Sequence, residues 1–276
     1  MQSVELEDFT SYKWSHKKIS HYVYVTGDGP PVLVMHELSG MNATAVDFAR
    51  RLAGQGFRVY LPHLFGKPLE AAAFSNSLRL CITGEFGRLA AGKSAPITDW
   101  LRALAQDMST RHGNGRVGAI GMCLTGAFVI PLVIDPWVAA PVAAQPGVPF
   151  SSTYVYTGLG HGRWASQLNV SDEHLAAAAR RLKADNMQLL ALRFEEDRIC
   201  PRARLDRLRE AFGDNIVVQE YGGASALQRI FFPRHSTLTG EYAKAGDAAP
   251  PDHPVHQPFQ RVVEFLRARL QAMPSP

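Results

Sequence analysis

The stretch 116–134 constrains what this chain can fold into more than any other part of it. Arg116-Val117-Gly118-Ala119-Ile120 reads as a short buried strand, and Leu124 to Ile134 is an apolar run long enough for a buried helix. Between the two lies Gly121-Met122-Cys123-Leu124-Thr125-Gly126. A strand that turns into a helix within about two residues must bend sharply, and the residue at the bend takes a strained conformation with its side chain presented outward. Gly121 and Gly126 leave room for the chain to pass. Cys123 would then stand at a helix N-terminus, where free N–H groups and the helix dipole favour a thiolate and can hold an oxyanion. A lone cysteine in an apolar stretch is more often a small packing residue than a catalyst. Its partners therefore decide the matter.

The surrounding pattern sets the scaffold. Apolar strands are expected at 19–26, 31–36, 57–61, 116–120, 138–142, 187–194 and 215–221, separated by helices at about 42–53, 70–80, 96–108, 124–134, 171–183, 202–212 and 259–270. The run 31–36 is continuously apolar, as in a parallel sheet covered on both faces. Asn42 and Ser171 are placed as N-caps, and Pro96 marks a helix start. Strands alternating with helices predict an α/β fold, a mostly parallel sheet with helices on both faces. At 276 residues, 46% hydrophobic and 20% charged, a single domain over 1–276 is expected. The segment of about 145–170 carries Phe150, Tyr154, Tyr156 and Trp164 among prolines and glycines, a candidate lid-like insertion.

Composition narrows the function classes. A formal charge of +4 with scattered basic residues asks for no nucleic acid and gives at most weak attraction to anions. Cys81, Cys123 and Cys200 form no Cys-x-x-Cys pair and make an odd total, which is neither a disulfide framework nor a zinc site and suits a reducing cytoplasm. The start of the chain lacks the basic and apolar regions of a signal peptide. No stretch reaches the roughly 18 apolar residues of a membrane span. A soluble cytoplasmic protein without metal or cofactor is expected.

In an open parallel sheet the working residues occupy loops at the carboxyl ends of the strands. Cys123, Asp197 and His235 all fall in such loops, in the order nucleophile, acid, histidine. An imidazole oriented by a carboxylate supplies the activation that a thiol needs near neutral pH. Rivals exist: His253 and His256 for the base, Glu195 and Glu196 for the acid. His36, ending the apolar strand, could support the site from behind. Glu37 follows that strand directly and either serves the thiol as a short-range proton acceptor or caps the helix near Asn42.

Taken together, Gly-Met-Cys-Leu-Thr-Gly at 121–126, Glu37 in Met-His-Glu-Leu-Ser-Gly-Met-Asn, Asp197 in Glu-Asp-Arg-Ile-Cys-Pro and Arg234-His235-Ser236 resemble the dienelactone hydrolase (carboxymethylenebutenolidase) family. The resemblance covers about 30–240. It implies an α/β-hydrolase fold and a Cys123-His235-Asp197 triad. It further implies that Glu37 hydrogen-bonds the resting thiol and accepts its proton, and that the backbone N–H groups of Leu38 and Leu124 form an oxyanion hole. The expected partner is a small-molecule lactone or ester substrate, an anionic one included. The chain departs from the family pattern at Thr125 and Arg234, where the family usually has glycine, and at Thr239, where an arginine would clamp a substrate carboxylate. Arg79, Arg88, Arg198 and Arg234 are the candidate substitutes. The departures motivate one rival function, a non-catalytic protein binding a small molecule on the same fold; a second rival, a thiol redox sensor, predicts that Cys81 or Cys200 stands near Cys123 as a resolving cysteine.

Overall fold

The computed structural model describes residues 4–71, 96–112, 115–148, 161–222, 224–226, 234–245, 248–250 and 252–271. Eight strands make one sheet: β1 (Thr10–His16), β2 (Ile19–Thr26), β3 (Pro31–Met35), β4 (Arg58–Pro62), β5 (Val117–Met122), β6 (Val138–Ala144), β7 (Leu189–Phe194) and β8 (Ile216–Tyr221). Their order across the sheet is β1-β2-β4-β3-β5-β6-β7-β8. β1, β2 and β4 pair antiparallel, and every pairing from β4 through β8 is parallel. The chain steps from β3 to β4 on one side and then to β5 on the other. The carboxyl ends of β3 and β5 therefore flank the crevice where an α/β sheet holds its ligand.

β1 is the strand the apolar pattern does not announce. It lies at the sheet edge, where one face and one backbone rim meet water, so polar residues alternate with half-buried Tyr12, Trp14 and His16 instead of forming an apolar run. The ring of Trp14 meets that of Trp100 edge-on at 5.1 Å. The interior strands behave as expected. Val117 and Ala119 of β5 join one apolar layer and Ile120 and Met122 the other; Leu33 and Met35 oppose Val32 and Val34 in β3 in the same way.

Helices cover both layers. α1 (Ala43–Ala53) and the C-terminal α8 (Gln257–Leu270) lie on one face; α2 (Pro96–His112), α5 (Asp172–Ala184) and α6 (Arg202–Phe212) lie on the other. The Asn42 and Ser171 side chains accept from Ala45 N and His174 N, so both caps are as the sequence predicts. Short helices α4 (His161–Ala165) and α7 (Gly240–Ala245) precede α5 and α8. The expected helix at 124–134 is not one helix. A 3-10 turn (Cys123–Phe128) comes first, followed by the four-residue α3 (Val129–Leu132). Gly126 and Pro131 are poor helix-interior residues, and the run is held by burial rather than by propensity. The helix expected at 70–80 lies outside the described residues, as do Phe150, Tyr154 and Tyr156 of the candidate lid. The end of that segment is anchored: Trp164, 1% exposed, packs with Val148 and Ala165 in a small core of its own.

Candidate active site

β5 ends at Met122, in extended conformation, and Cys123 follows with φ at +55°. A non-glycine residue there costs about 1–3 kcal/mol and persists only where neighbours over-determine it. Three contacts do so. Gly121 passes the next turn so closely that a Cβ would stand 2.2 Å from Thr125 O, and one on Gly126 would meet Pro146 Cα at 2.9 Å. Gly147 N donates to Cys123 O at 2.7 Å. The third contact is Thr125, fully buried, whose hydroxyl accepts from Met122 N at 2.9 Å and has Met35 O, His36 O and Met122 O within 2.9–3.1 Å for its single proton. The threonine that departs from the family pattern thus fastens the bend of β5 to the end of β3. The sulfur is half-buried, and the absence of a side chain on Gly147 keeps its space open, since a Cβ there would come within 3.1 Å of Sγ.

The acid loop after β7 is built around Asp197, 3% exposed. Its Oδ1 accepts from Ile199 N (2.8 Å) and Cys200 N (2.9 Å), and its Oδ2 lies 2.7 Å from His235 Nδ1. The rival acids are engaged elsewhere: Glu196 pairs with Arg234, and the Glu195 carboxylate lies against Gly222. The other ring nitrogen of His235, Nε2, is buried with no hydrogen-bond partner of ordinary geometry among the described residues. Burial disfavours the charged ring, but the Asp197 carboxylate and the Cys123 sulfur beside it outweigh this and hold His235 well above the usual histidine range.

His253 and His256 have other tasks. His253 Nδ1 accepts from Val255 N at the start of a 3-10 turn, and His256 Nε2 lies 3.3 Å from Ala249 O, with its ring against Tyr242. His36 is fully buried: Nε2 accepts from Leu64 N at 3.1 Å, so Nδ1 carries the proton donated to Glu37 O at 2.9 Å. Burial pushes its pKa down to about 3, which fixes it as a neutral strut beneath the end of β3.

Glu37 is bonded to the turn that bears His235. Oε1 accepts from Gln145 Nε2 (3.0 Å) and Thr239 Oγ1 (2.8 Å), and Oε2 accepts from Ser236 Oγ (2.8 Å). None of the hydrogen bonds described for this carboxylate runs to Cys123. Nor does it cap α1, whose N-cap is Asn42. Gln145 extends the network, with Oε1 accepting from Thr237 N and Thr237 Oγ1. The turn bearing His235 is thereby tied, residue after residue, to the ends of β3 and β6. Gln145, Ser236 and Thr239 were not singled out from the sequence as site residues. Gln145 carried a usable signal, being a polar residue directly after a buried apolar strand.

Leu38 and Leu124 directly follow Glu37 and Cys123 in the chain; Leu124 is buried and Leu38 is partly buried against the core. As second residue of the 3-10 turn, Leu124 has no partner for its N–H within that turn. Of the candidate arginines, Arg234 is committed to Glu196, to Gly222 O at 2.8 Å and to the face of Phe194. Arg198 lines a cleft of about 370 Å³ beside the acid loop. Arg79, Arg88 and Cys81 lie outside the described residues. Among the described residues no group of three or more metal-ligating side chains could hold an ion, and no helix is long and apolar enough to cross a membrane.

The architecture is that of the α/β-hydrolase fold. Solved structures share it over nearly the whole chain. A dienelactone hydrolase-like promiscuous phosphotriesterase from metagenomic libraries superposes with a TM-score of 0.57 at 18% identity, over 95% of this chain and 99% of that one. A cold-adapted esterase from an Arctic intertidal metagenomic library gives 0.56 at 13% identity, over 94% and 92%. The acylaminoacyl peptidase of Pyrococcus horikoshii gives 0.57 at 12% identity, over 98% of this chain and 43% of that longer one. In sequence, the dienelactone hydrolase family model matches residues 20–225, and the chain belongs to that family of hydrolases. No functionally curated protein matches it in sequence.

Proposed function

We propose that this chain is a cysteine-dependent hydrolase of lactones or activated esters, with Cys123, His235 and Asp197 as its triad. The observation that carries this reading is the alignment at His235, with Nδ1 2.7 Å from a carboxylate that is itself held by two backbone N–H groups and Nε2 buried without another partner near the strained cysteine. Asp197 fixes the ring and its tautomer, and His235 takes the thiol proton. The Sγ thiolate then adds to the substrate carbonyl carbon, and the oxyanion is received by Leu38 N–H and Leu124 N–H. As the intermediate collapses, the carbon–oxygen bond to the leaving alcohol breaks and His235 protonates that oxygen. Water, deprotonated by the same imidazole, hydrolyses the thioester and regenerates the thiol.

Glu37 has two parts in this proposal. It holds the His235 turn in place, and Oε2, which carries a single described donor, keeps a lone pair on which a resting thiol can lie. A nucleophile that must stay reduced suits the cytoplasm. Arg234 is engaged by Glu196 and Thr239 is bonded to Glu37, so neither serves as a clamp for a substrate carboxylate in this reading. The redox-sensor reading finds no support at Cys200, which is fully buried and whose thiol burial pushes up to about 12.

Turnover of p-nitrophenyl acetate tests the assignment. Cys123→Ala should abolish both burst and steady-state release while leaving the fold intact, and Cys123→Ser should retain only a small residue of activity. Wild-type turnover in the alanine variant would reject the proposal.

A further inference from the structure

Arg204 of α6 is fully buried, and among the described residues no carboxylate pairs with it. Its guanidinium donates to four backbone carbonyls and lies beside the Cys200 thiol. Nε donates to Gln167 O (2.8 Å), Nη1 to Pro146 O (3.0 Å) and Ile199 O (2.8 Å), and Nη2 to Trp164 O (3.0 Å), with the ring of Trp164 beneath it at 5.1 Å. Other arginines recruited into the protein body, Arg102 and Arg193, have an acidic partner. A guanidinium held in the interior without a directly paired carboxylate is costly to bury, a cost a hydrocarbon side chain would avoid.

The position of these carbonyls is the informative part. Pro146 precedes Gly147, whose N–H holds Cys123 O and whose Cα backs the sulfur. Ile199 belongs to the turn that wraps Asp197 Oδ1, and Trp164 and Gln167 are the inner end of the aromatic segment 145–170. One side chain thus joins the wall behind the nucleophile, the acid loop and the stretch from Trp164 to Gln167. Its charge is felt at the centre: the Asp197 carboxylate and the sulfurs of Cys200 and Cys123 are the groups that favour the protonated guanidinium against the burial that lowers it.

We propose that Arg204 is a positioning residue of the catalytic centre, which sets the three loops around Cys123 in one arrangement and supplies a fixed positive charge that favours the thiolate. The inference rests on Cys123 being the nucleophile. Among the described residues, the titratable and charged groups around that sulfur are His235 after β8, Asp197 and Cys200 after β7, Glu37 after β3, and Arg204. Of these only Arg204 and a protonated His235 are positive, and only Arg204 keeps its charge throughout the working pH range.

The test is the pH profile of Cys123 alkylation by iodoacetamide, followed on the Cys123 peptide by mass spectrometry, in wild type, Arg204→Lys, Arg204→Gln and Arg204→Met. Near-ultraviolet circular dichroism checks each fold. Wild-type alkylation must first be fast and pH-dependent; sluggish labelling typical of a buried thiol rejects Cys123 as nucleophile and overturns the Arg204 inference with it. Given a reactive wild type, the neutral Gln and Met variants should move the midpoint upward by about one pH unit, the size of effect a nearby charge exerts. Arg204→Lys should keep the midpoint while losing stability, because it keeps the charge and not the fork of donors. Folded neutral variants with the wild-type midpoint overturn the inference while leaving Cys123 as the nucleophile. So does failure of both to fold, which reduces Arg204 to a requirement of the scaffold.

Discussion

Thr125→Val isolates the device that holds the nucleophile at its bend. The two side chains have nearly the same shape, so the cavity term is negligible and the change is one of hydrogen bonding. The hydroxyl accepts the buried Met122 N–H and donates its proton to one of three carbonyls within 2.9–3.1 Å. Valine leaves that N–H without a partner, at about 1–3 kcal/mol, and forfeits the donated bond, at about 1 kcal/mol, for a total of about 2–4 kcal/mol. Urea unfolding at neutral pH reads the loss directly. Thr125→Ser is the control: it keeps both hydrogen bonds and gives up one buried methyl group, about 1 kcal/mol. The second readout is local. With the tie from β5 to β3 gone, the +55° conformation of Cys123 is no longer over-determined, and its alkylation by iodoacetamide should slow in the valine variant and not in the serine one. Equal stability of the two variants, or unchanged alkylation in the valine one, would refute the argument that the hydroxyl sets the elbow.

Two further outcomes follow from the same network. Burial lowers His36 to about 3 and His63 to about 4, so between pH 6 and 5 the unfolded chain binds a proton on each that the folded chain refuses. The contribution of these two groups is complete only above about pH 7.5, begins to fall as pH approaches the ordinary histidine value of 6.5, and should fall by about 2 kcal/mol per pH unit between pH 6 and 5. His235, whose folded value is raised, is protonated in both states there and adds no slope. Urea midpoints at pH 6 and 5 measure this; His63→Phe should halve the slope, and a flat midpoint in the wild type contradicts it. Glu37→Gln puts an amide NH₂ opposite at least one of three donors that now meet a carboxylate, and should cost about 1–3 kcal/mol with reduced turnover from a loosened His235 turn. Stability and turnover both at wild-type level in that variant would show that the described bonds do not matter.

What the sequence determined by itself is whatever depends on period and order. Short continuous apolar runs at β3 and β5, bounded by turn residues, read as strands covered on both faces, and the alternation of strands with amphipathic helices leaves few topologies besides a doubly covered parallel sheet. Cys123, Asp197 and His235 could be picked out because residues at the carboxyl ends of such strands must converge on one edge. β1 escaped because an edge strand buries one face only and needs no apolar run. The helix expected after Cys123 shortened because burial, not propensity, shapes that segment.

Tertiary structure alone decided how far-apart polar side chains share their hydrogen bonds. Glu37 reads as a carboxylate near a thiol until Gln145, Ser236 and Thr239, 108 to 202 residues away in sequence, are seen to donate to it. Thr125 reads as a departure from a glycine until the end of β3 is seen within reach of its hydroxyl. Arg204 reads as one more charge on a basic helix, yet the fold buries it against carbonyls from three separate loops. Hydrophobic patterning is local and leaves a periodic trace in the chain. A hydrogen-bond partner is chosen by proximity in space, and long-range proximity leaves no trace there.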